Sequence, residues 1–210
     1  MPRLIGYWHN PEFPPDIDRI QQSWRAAWPG EITVYNHHTA RKFIKGNYGS
    51  RELIAFDSCA IPAMQSDLFR ILEVFHHGGF YLDMGIELIY PPPHAIDPNQ
   101  LVLYRRWHGR IVNCLFAAPP RNPILAKILS AALSNIESRT SNNVWAVTGP
   151  GIWISETTNG QRDGVTVLDH QEIAGEFVVF HQKLSHKGSR HWSEQQKEAS
   201  IFSAIPRLQD

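Results

Sequence analysis

Two acids and an arginine lie close together in this chain, with a spacing that suits a binding site. Asp67 and Arg70 are three residues apart, and Asp83 directly follows the apolar run 80–82. Residues three apart share one face of a helix, so Asp67 and Arg70 can form an ion pair there. A carboxylate at the end of a short core strand lies where open α/β sheets place their ligands. A solvated ion pair on a helix surface would give the same pattern for the first two residues.

Asp83 is also the first candidate for a metal ligand. Two carboxylates at positions i and i+2 of a strand stand about 7 Å apart on one side and can bracket a divalent cation. Here position 85 is glycine, and the next acid in phase, Glu87, would lie about 13 Å from Asp83 along a straight strand. A chain turn at Gly85 would bring Glu87 back. Alternatively, His186, His191 or water completes the coordination, the protein uses no metal, or catalysis has been lost.

A helix and a strand would position these residues. Pro62 suits the first turn of a helix, and Gly78-Gly79 suits a helix end. Between them, apolar residues repeat at helical spacing: Met64, Leu68, Ile71, Leu72 and Phe75. The other predicted helices cover residues 16–28, 39–45 and 122–136, and the predicted strands cover residues 4–8, 31–35, 80–82, 101–104, 111–117 and 176–180. Alternating strands and helices indicate an α/β fold with parallel pairing.

Composition restricts the partners and the location. The 210 residues carry 20 Lys plus Arg and 20 Asp plus Glu, so the net charge is zero and nucleic acid is a poor partner. No window approaches the ~20 apolar residues of a membrane-spanning helix, which predicts a cytoplasmic protein or one peripheral to the membrane. Cys59 and Cys114 show no Cys-x-x-Cys spacing and fit a reducing compartment, although a disulfide between them stays open.

Two loops carry further candidates. Residues 105–110 combine three arginines with Trp107 and His108, which favours contact with an acceptor or a phosphate, or else a polar hairpin tip. The turn Thr148-Gly149-Pro150-Gly151 either lets backbone approach an acceptor or only shapes a loop.

Two strings in the chain resemble glycosyltransferase family 32, the proteins with a sugar-binding region that contains a DXD motif. They are Ala63-x-x-Ser66-Asp67-x-x-Arg70 and Gly78-Gly79-x-Tyr81-Leu82-Asp83. Both are similar, too, to the glucosylating domains of the large clostridial toxins. The relatives read Ala-x-x-Ser-Asp-x-x-Arg and Gly-Gly-x-Tyr-Leu-Asp-x-Asp, with the same spacing between the strings. Fainter likenesses involve Trp8, Asn113 and residues 148–150.

The resemblance implies a fold and an activity. The fold would be of GT-A type, a Rossmann-like mixed β-sheet flanked by helices in a single domain, with residues 1–95 as the donor half and residues 96–210 on the acceptor side. The activity would be transfer of a hexose or related sugar from a UDP- or GDP-sugar, with retention of configuration. The acceptor would be a hydroxyl group of an oligosaccharide, a lipid-linked glycan or a protein, and the cofactor Mn²⁺ or Mg²⁺.

The resemblance also implies roles for individual residues. Asp67, Arg70 and Asp83 would carry catalysis, the first two by binding the hydroxyls of the donor sugar. Trp8 would stack on the base, and Tyr81 would line the phosphate or ribose side. The implied donor-binding set is Trp8, Asp67, Arg70, Tyr81, Asp83 and Asn113. The resemblance implies Asp83 as a metal ligand; Glu87, His186 and His191 are the alternatives that the sequence offers for the second ligand.

The chain departs from the family at Gly85, which stands where the relatives have the second aspartate of the DXD motif. This departure favours an alternative function, a catalytically inactive nucleotide-sugar-binding module or a regulatory partner of another transferase. A toxin-like enzyme that glycosylates a protein is a further alternative, with little support from the sequence.

Overall fold

The computed structural model describes residues 2–92, 99–181, 184 and 192–204. Within these residues the strands are β1 (Leu4–Tyr7), β2 (Ile32–Tyr35), β3 (Gly79–Leu82), β4 (Ile86–Leu88), β5 (Leu101–Arg105), β6 (Ile111–Ala118), β7 (Val165–Asp169) and β8 (Val178–Phe180). The helices are α1 (Pro15–Ala27), α2 (His37–Asn47), α3 (Ser50–Asp57), α4 (Pro62–His77), α5 (Pro123–Ser138), α6 (Val144–Val147), α7 (Pro150–Thr157), α8 (His170–Ile173) and α9 (Trp192–Glu198). A short 3₁₀ turn, Thr158–Gly160, follows α7.

Six of the strands form one mixed sheet in the order β2-β1-β3-β6-β5-β7. β1 pairs in parallel with β2 and β3, and β5 pairs in parallel with β7, whereas β6 is antiparallel to both of its neighbours, β3 and β5. The carboxyl ends of β1, β3 and β5 therefore meet the start of β6 at one edge of the sheet. β4 and β8 form a separate antiparallel pair.

Each face of the sheet packs against helices. Alternate strand residues point to opposite faces, so each strand contributes to two cores. Ile5 and Tyr81 enter a core shared with α2 to α5 and α7. Leu4, Phe80 and Leu82 enter a second core shared with α1 and the β4–β8 pair. The predicted α/β class, a mixed sheet flanked by helices, is confirmed.

α4 is the helix that the sequence predicts most completely. Pro62 occupies its first turn, and Gly78 ends it with φ of 69°. Gly79 follows with φ of 124°, and a Cβ atom there would lie 2.7 Å from the carbonyl oxygen of Arg3. Only glycine fits both this backbone angle and this close approach. The two glycines therefore let the chain pass directly from α4 into β3.

The other predicted helices and strands are confirmed with small differences in their ends. Seven elements have no counterpart among the predicted ones: α3, α6, α7, α8, α9, β4 and β7. The predicted turn Thr148–Gly151 is helical in its second half, because Pro150 and Gly151 belong to the first turn of α7 and Gly149 is its N-cap. Cys59 and Cys114 are both free thiols, so a disulfide between them is not formed. Among the described residues, no helix is long and apolar enough to cross a membrane.

Candidate functional site

A cavity of about 920 Å³ opens at the sheet edge where the ends of β1 and β3 meet the start of β6. Its size falls in the range of ligand pockets in proteins. Trp8 follows β1, Asp83 follows β3 and Asn113 belongs to β6, and all three line the cavity. Asp67 and Arg70 reach it from the first half of α4. Five of the predicted site residues therefore lie around one cavity.

Asp67 is buried, with only 7% of the residue exposed. One carboxylate oxygen accepts a hydrogen bond from the Asn113 side-chain amide at 2.9 Å and lies 3.0 Å from the Arg70 guanidinium. The other accepts a hydrogen bond from the Thr148 hydroxyl at 3.3 Å. Burial raises the pKa of Asp67 to about 6; Arg70 opposes the rise, and Asp83 adds to it. Asp67 and Arg70 therefore form a buried ion pair, which excludes the alternative of a solvated pair on the helix surface.

Arg70 connects the two acids. Its Nη2 atom lies 3.0 Å from Asp67 Oδ1 and 3.2 Å from Asp83 Oδ1. Nη1 donates to the Asn113 carbonyl at 2.6 Å, and Nε and Nη2 donate to the backbone and the hydroxyl of Ser66. Burial disfavours the charged guanidinium, but Asp83, Tyr81 and Asp67 outweigh it and raise its pKa overall. One cation is therefore shared between two carboxylates.

Asp83 is the more accessible of the two acids, with 36% of its side chain exposed. Its backbone N–H donates to the Cys114 carbonyl at 2.8 Å, which fixes the end of β3 against β6. Oδ1 accepts from the Tyr81 hydroxyl at 3.0 Å. Oδ2 makes no hydrogen bond to any residue that the structure describes. That oxygen is the part of the network available to a ligand.

Tyr81 has a different place from the predicted one. It is fully buried, so it does not line the phosphate or ribose side of the cavity. The Arg70 guanidinium carbon lies 4.6 Å from the centre of its ring, and its hydroxyl lies 3.0 Å from both Ser66 Oγ and Asp83 Oδ1. The physical reason is its position on the core-facing side of β3. Tyr81 therefore contacts Arg70 and Asp83 from the core side of the site.

Trp8 extends the edge of the sheet beyond β1. Its backbone N–H donates to the Tyr35 carbonyl at 2.8 Å, and its indole N–H donates to the Glu12 carbonyl at 3.2 Å. The side chain is half-buried and borders the cavity. A base stacked on this ring stays a prediction.

Glu87 does not join Asp83. The chain turns after Asp83, whose carbonyl accepts from the Ile86 N–H at 2.9 Å, as the glycine at position 85 had suggested. Glu87 then enters β4, opposite Val179 of β8, and its carboxylate lies 2.9 Å from His181 Nε2. The pairing of β4 with β8 thus directs Glu87 to His181, and it is not among the residues that line the cavity.

The described residues do not fit the metal site of the DXD pattern. They offer one carboxylate, Asp83, where the pattern has two, and a guanidinium group already lies against it. No cluster of three or more His, Cys, Asp and Glu in residues 2–92, 99–181, 184 and 192–204 could hold an ion. His186 and His191, the other predicted ligands, lie outside the described residues.

Two contributors to the network were not predicted as site residues. Ser66 contacts both Arg70 and Tyr81, and Thr148 holds Asp67. Ser66 belongs to the string that carries the family resemblance, and Thr148 belongs to the Thr-Gly-Pro turn. These two motifs were the available signals, since neither contact follows from helical or strand periodicity.

Part of the chain matches a known protein family. Residues 14–103 match the family model described as the glycosyltransferase sugar-binding region containing DXD motif. These residues include Asp67, Arg70, Tyr81, Asp83 and Gly85. The predicted resemblance to glycosyltransferase family 32 is confirmed, because the matched region and the fold are both similar to those of glycosyltransferases.

Individual relatives are distant. The chain is 24% identical over 179 residues to HOC1 of Saccharomyces cerevisiae, a protein assigned as a glycosyltransferase; the match covers 70% of this chain and 45% of HOC1. The chain thus spans less than half of that relative's length. Among solved structures, it resembles the PaToxG glycosyltransferase with a TM-score of 0.60 and 17% identity, over 77% of this chain and 69% of PaToxG. This likeness shows the GT-A-like fold.

Proposed function

We propose that this chain transfers a sugar from a UDP- or GDP-sugar to a hydroxyl group of a glycan or another acceptor, with retention of configuration. The observation that carries the proposal is the Asp67–Arg70–Asp83 network, in which the buried Asp67 and Arg70 join the more exposed Asp83 at a large cavity at the carboxyl edge of the sheet. The matched sugar-binding region contains all three residues.

The network supplies the polar groups that a donor sugar needs. Buried carboxylates such as Asp67 accept hydrogen bonds from sugar hydroxyls, and a fixed donor such as Asn113 keeps the carboxylate in one orientation. Trp8 offers an aromatic face for the base. Residues 1–95 would form most of the donor half of a single domain and residues 96–210 the acceptor side, although Asn113 and Thr148 also reach Asp67.

The proposed acceptor and the proposed biological process rest on the family resemblance, not on contacts in the site. An oligosaccharide, a lipid-linked glycan or a protein hydroxyl fits the proposal, and polysaccharide biosynthesis is the corresponding process. A cytoplasmic location stays a prediction.

A divalent cation, Mn²⁺ or Mg²⁺, stays a prediction from the family resemblance. Such an ion would neutralise the charge of the departing nucleoside diphosphate as a Lewis acid. The described residues provide only Asp83 for it.

Gly85 favours a second candidate function, a module that binds nucleotide sugars without turning them over. Loss of the second DXD carboxylate removes a group that the relatives' metal site uses, while the Asp67–Arg70 network that would bind sugar is intact.

Thermal unfolding and donor hydrolysis, measured with UDP- and GDP-sugars in manganese and in EDTA, separate these functions. We expect a nucleotide sugar to raise the unfolding temperature and to be hydrolysed slowly. Asp83→Asn should weaken both effects, whereas the exposed Asp163→Asn should not. Stabilisation without turnover would favour the binding module. If no nucleotide sugar stabilises the protein, the proposed donor site is wrong.

A further inference from the structure

A tight turn between β5 and β6 places two arginines beside each other at the cavity. The Arg106 N–H donates to the Arg110 carbonyl at 3.0 Å, and the Gly109 N–H donates to the Arg106 carbonyl at 2.8 Å. Gly109 has φ of 78°, so the turn closes through a left-handed residue that glycine adopts easily. Residues paired across such a turn have Cβ atoms about 5 Å apart. The turn therefore holds the backbones of Arg106 and Arg110 next to each other.

This pair belongs to the same cavity as the candidate donor site. Arg106, His108 and Arg110 line it together with Asp83 and Gly85. Cys114 shows how close the groups are, because Asp83 raises the pKa of its thiol, beyond the larger effect of burial, and Arg106 lowers it. Asp83 and Arg106 therefore both act on the Cys114 thiol.

The charge of the pair is uncompensated. Arg70 lies against Asp67 and Asp83, and Arg105, on the same hairpin, lies 3.3 Å from Asp169. Arg106 and Arg110 are exposed, and neither forms an ion pair with an acid in the part of the chain that the structure describes. The cavity thus has two guanidinium groups available and lacks the second carboxylate of the DXD pattern at Gly85.

We propose that Arg106 and Arg110 bind the diphosphate of the nucleotide donor and perform the neutralisation that a divalent cation performs at a complete DXD motif. This inference rests on the proposed donor function. Guanidinium groups bind phosphate oxygens in a bidentate manner and keep their charge at every physiological pH. His108 adds a third nitrogen donor on the same turn.

The chemical role is to stabilise the leaving group. During transfer, the bond between the anomeric carbon of the sugar and the β-phosphate oxygen breaks, and its electron pair stays on that oxygen. The acceptor oxygen forms the new bond to the anomeric carbon, and its proton passes to the departing diphosphate. The negative charge that develops on the diphosphate is what the two arginines would stabilise.

Calorimetric titration with nucleotides tests the inference. UDP, GDP, the corresponding monophosphates and the free nucleosides are titrated into the protein in EDTA and again in manganese. The wild-type chain should bind a diphosphate with similar affinity in both buffers. Arg106→Gln and Arg110→Gln should each weaken diphosphate binding about tenfold, and the double variant should weaken it further, with little effect on the nucleoside.

Controls keep the result specific. Arg19→Gln removes an exposed arginine on α1 that does not line the cavity, so it should bind like the wild type. Circular dichroism and the unfolding temperature confirm that the hairpin variants fold. Two results would overturn the inference while leaving the donor function standing: diphosphate binding by the wild type only in manganese, or unchanged binding by the double variant. No binding of any nucleotide by the wild type in either buffer would instead contradict the donor function itself.

Discussion

Substitution of Asp67 by asparagine should change how the stability of the protein depends on pH. Asparagine keeps the size of the side chain and one acceptor oxygen for Asn113 and Arg70, and its amide can donate to the Thr148 hydroxyl oxygen. The variant should therefore fold. What it loses is the titration of a buried carboxyl group.

The magnitude follows from the pKa of Asp67, which burial raises from the ordinary 3.8 to about 6 despite Arg70. The folded chain holds this proton more tightly than the unfolded chain does. The resulting stability is fully present below pH ~4 and is lost as the pH rises through about 6. It amounts to about 3 kcal/mol in total, of which about 2 kcal/mol disappears between pH 4 and pH 7.

Urea unfolding of both proteins, followed by tryptophan fluorescence at pH 4, 5, 6 and 7, measures this contribution of Asp67 to the free energy of unfolding. The wild-type free energy of unfolding minus that of Asp67→Asn should fall by about 2 kcal/mol across the series. The subtraction removes the titration of most other groups, and the exposed Asp163→Asn serves as the control. A difference that stays constant with pH, or that grows with it, would refute the assignment of a raised pKa to Asp67.

Three further predictions concern the site and its support. Asn113→Asp would place a second carboxylate 2.9 Å from the Asp67 carboxylate. It should therefore lower the free energy of unfolding by at least about 2 kcal/mol at pH 7, and by less at pH 5, where one of the two acids is more readily protonated. Chemical denaturation at both pH values measures the two effects. Gly79→Ala should lower the free energy of unfolding by about 2 kcal/mol or more, because the added Cβ would lie 2.7 Å from a backbone oxygen. Gly46→Ala is the matched control: Gly46 is helical and has no atom within 4 Å of an added Cβ, so the substitution should raise the free energy of unfolding by up to ~1 kcal/mol. Thermal unfolding of both variants measures the difference. Gly85→Asp should make diphosphate binding depend on manganese, so that the affinity measured by calorimetry is at least about tenfold higher with manganese than in EDTA. If manganese does not change the affinity of this variant, the missing carboxylate is not what separates this site from a metal site.

The sequence predicted the part of the fold that local rules determine. α4 could be predicted because Pro62, a helical apolar stripe and Gly78-Gly79 agree with one another. α3, β4 and β7 are among the elements that were missed, because they are short and are stabilised by pairing or packing with distant residues. β4, for example, has three residues and depends on β8, more than eighty residues later in the chain.

The candidate site divides in the same way. Asp67, Arg70 and Asp83 could be found because a specific spacing carries them. The burial of Asp67 and Arg70, and the supporting positions of Tyr81 and Thr148, could not be predicted, because they depend on how α4, β3 and the start of α7 pack together. A contact such as that of Thr148 with Asp67 joins residues 81 apart, and no periodicity encodes it.

Gly85 shows why the site has to be judged as a whole. Gly85 is not among the described residues with positive φ, so its backbone angle does not require glycine. The missing carboxylate is therefore not explained by a conformation that other residues would avoid. It coincides with an acid, Asp83, that already shares a guanidinium group, and with two arginines, Arg106 and Arg110, that have no ion-pair partner among the described residues. A site with that balance of charge is already suited to an anionic diphosphate, and a divalent cation added to it would compete with cations that the chain itself provides.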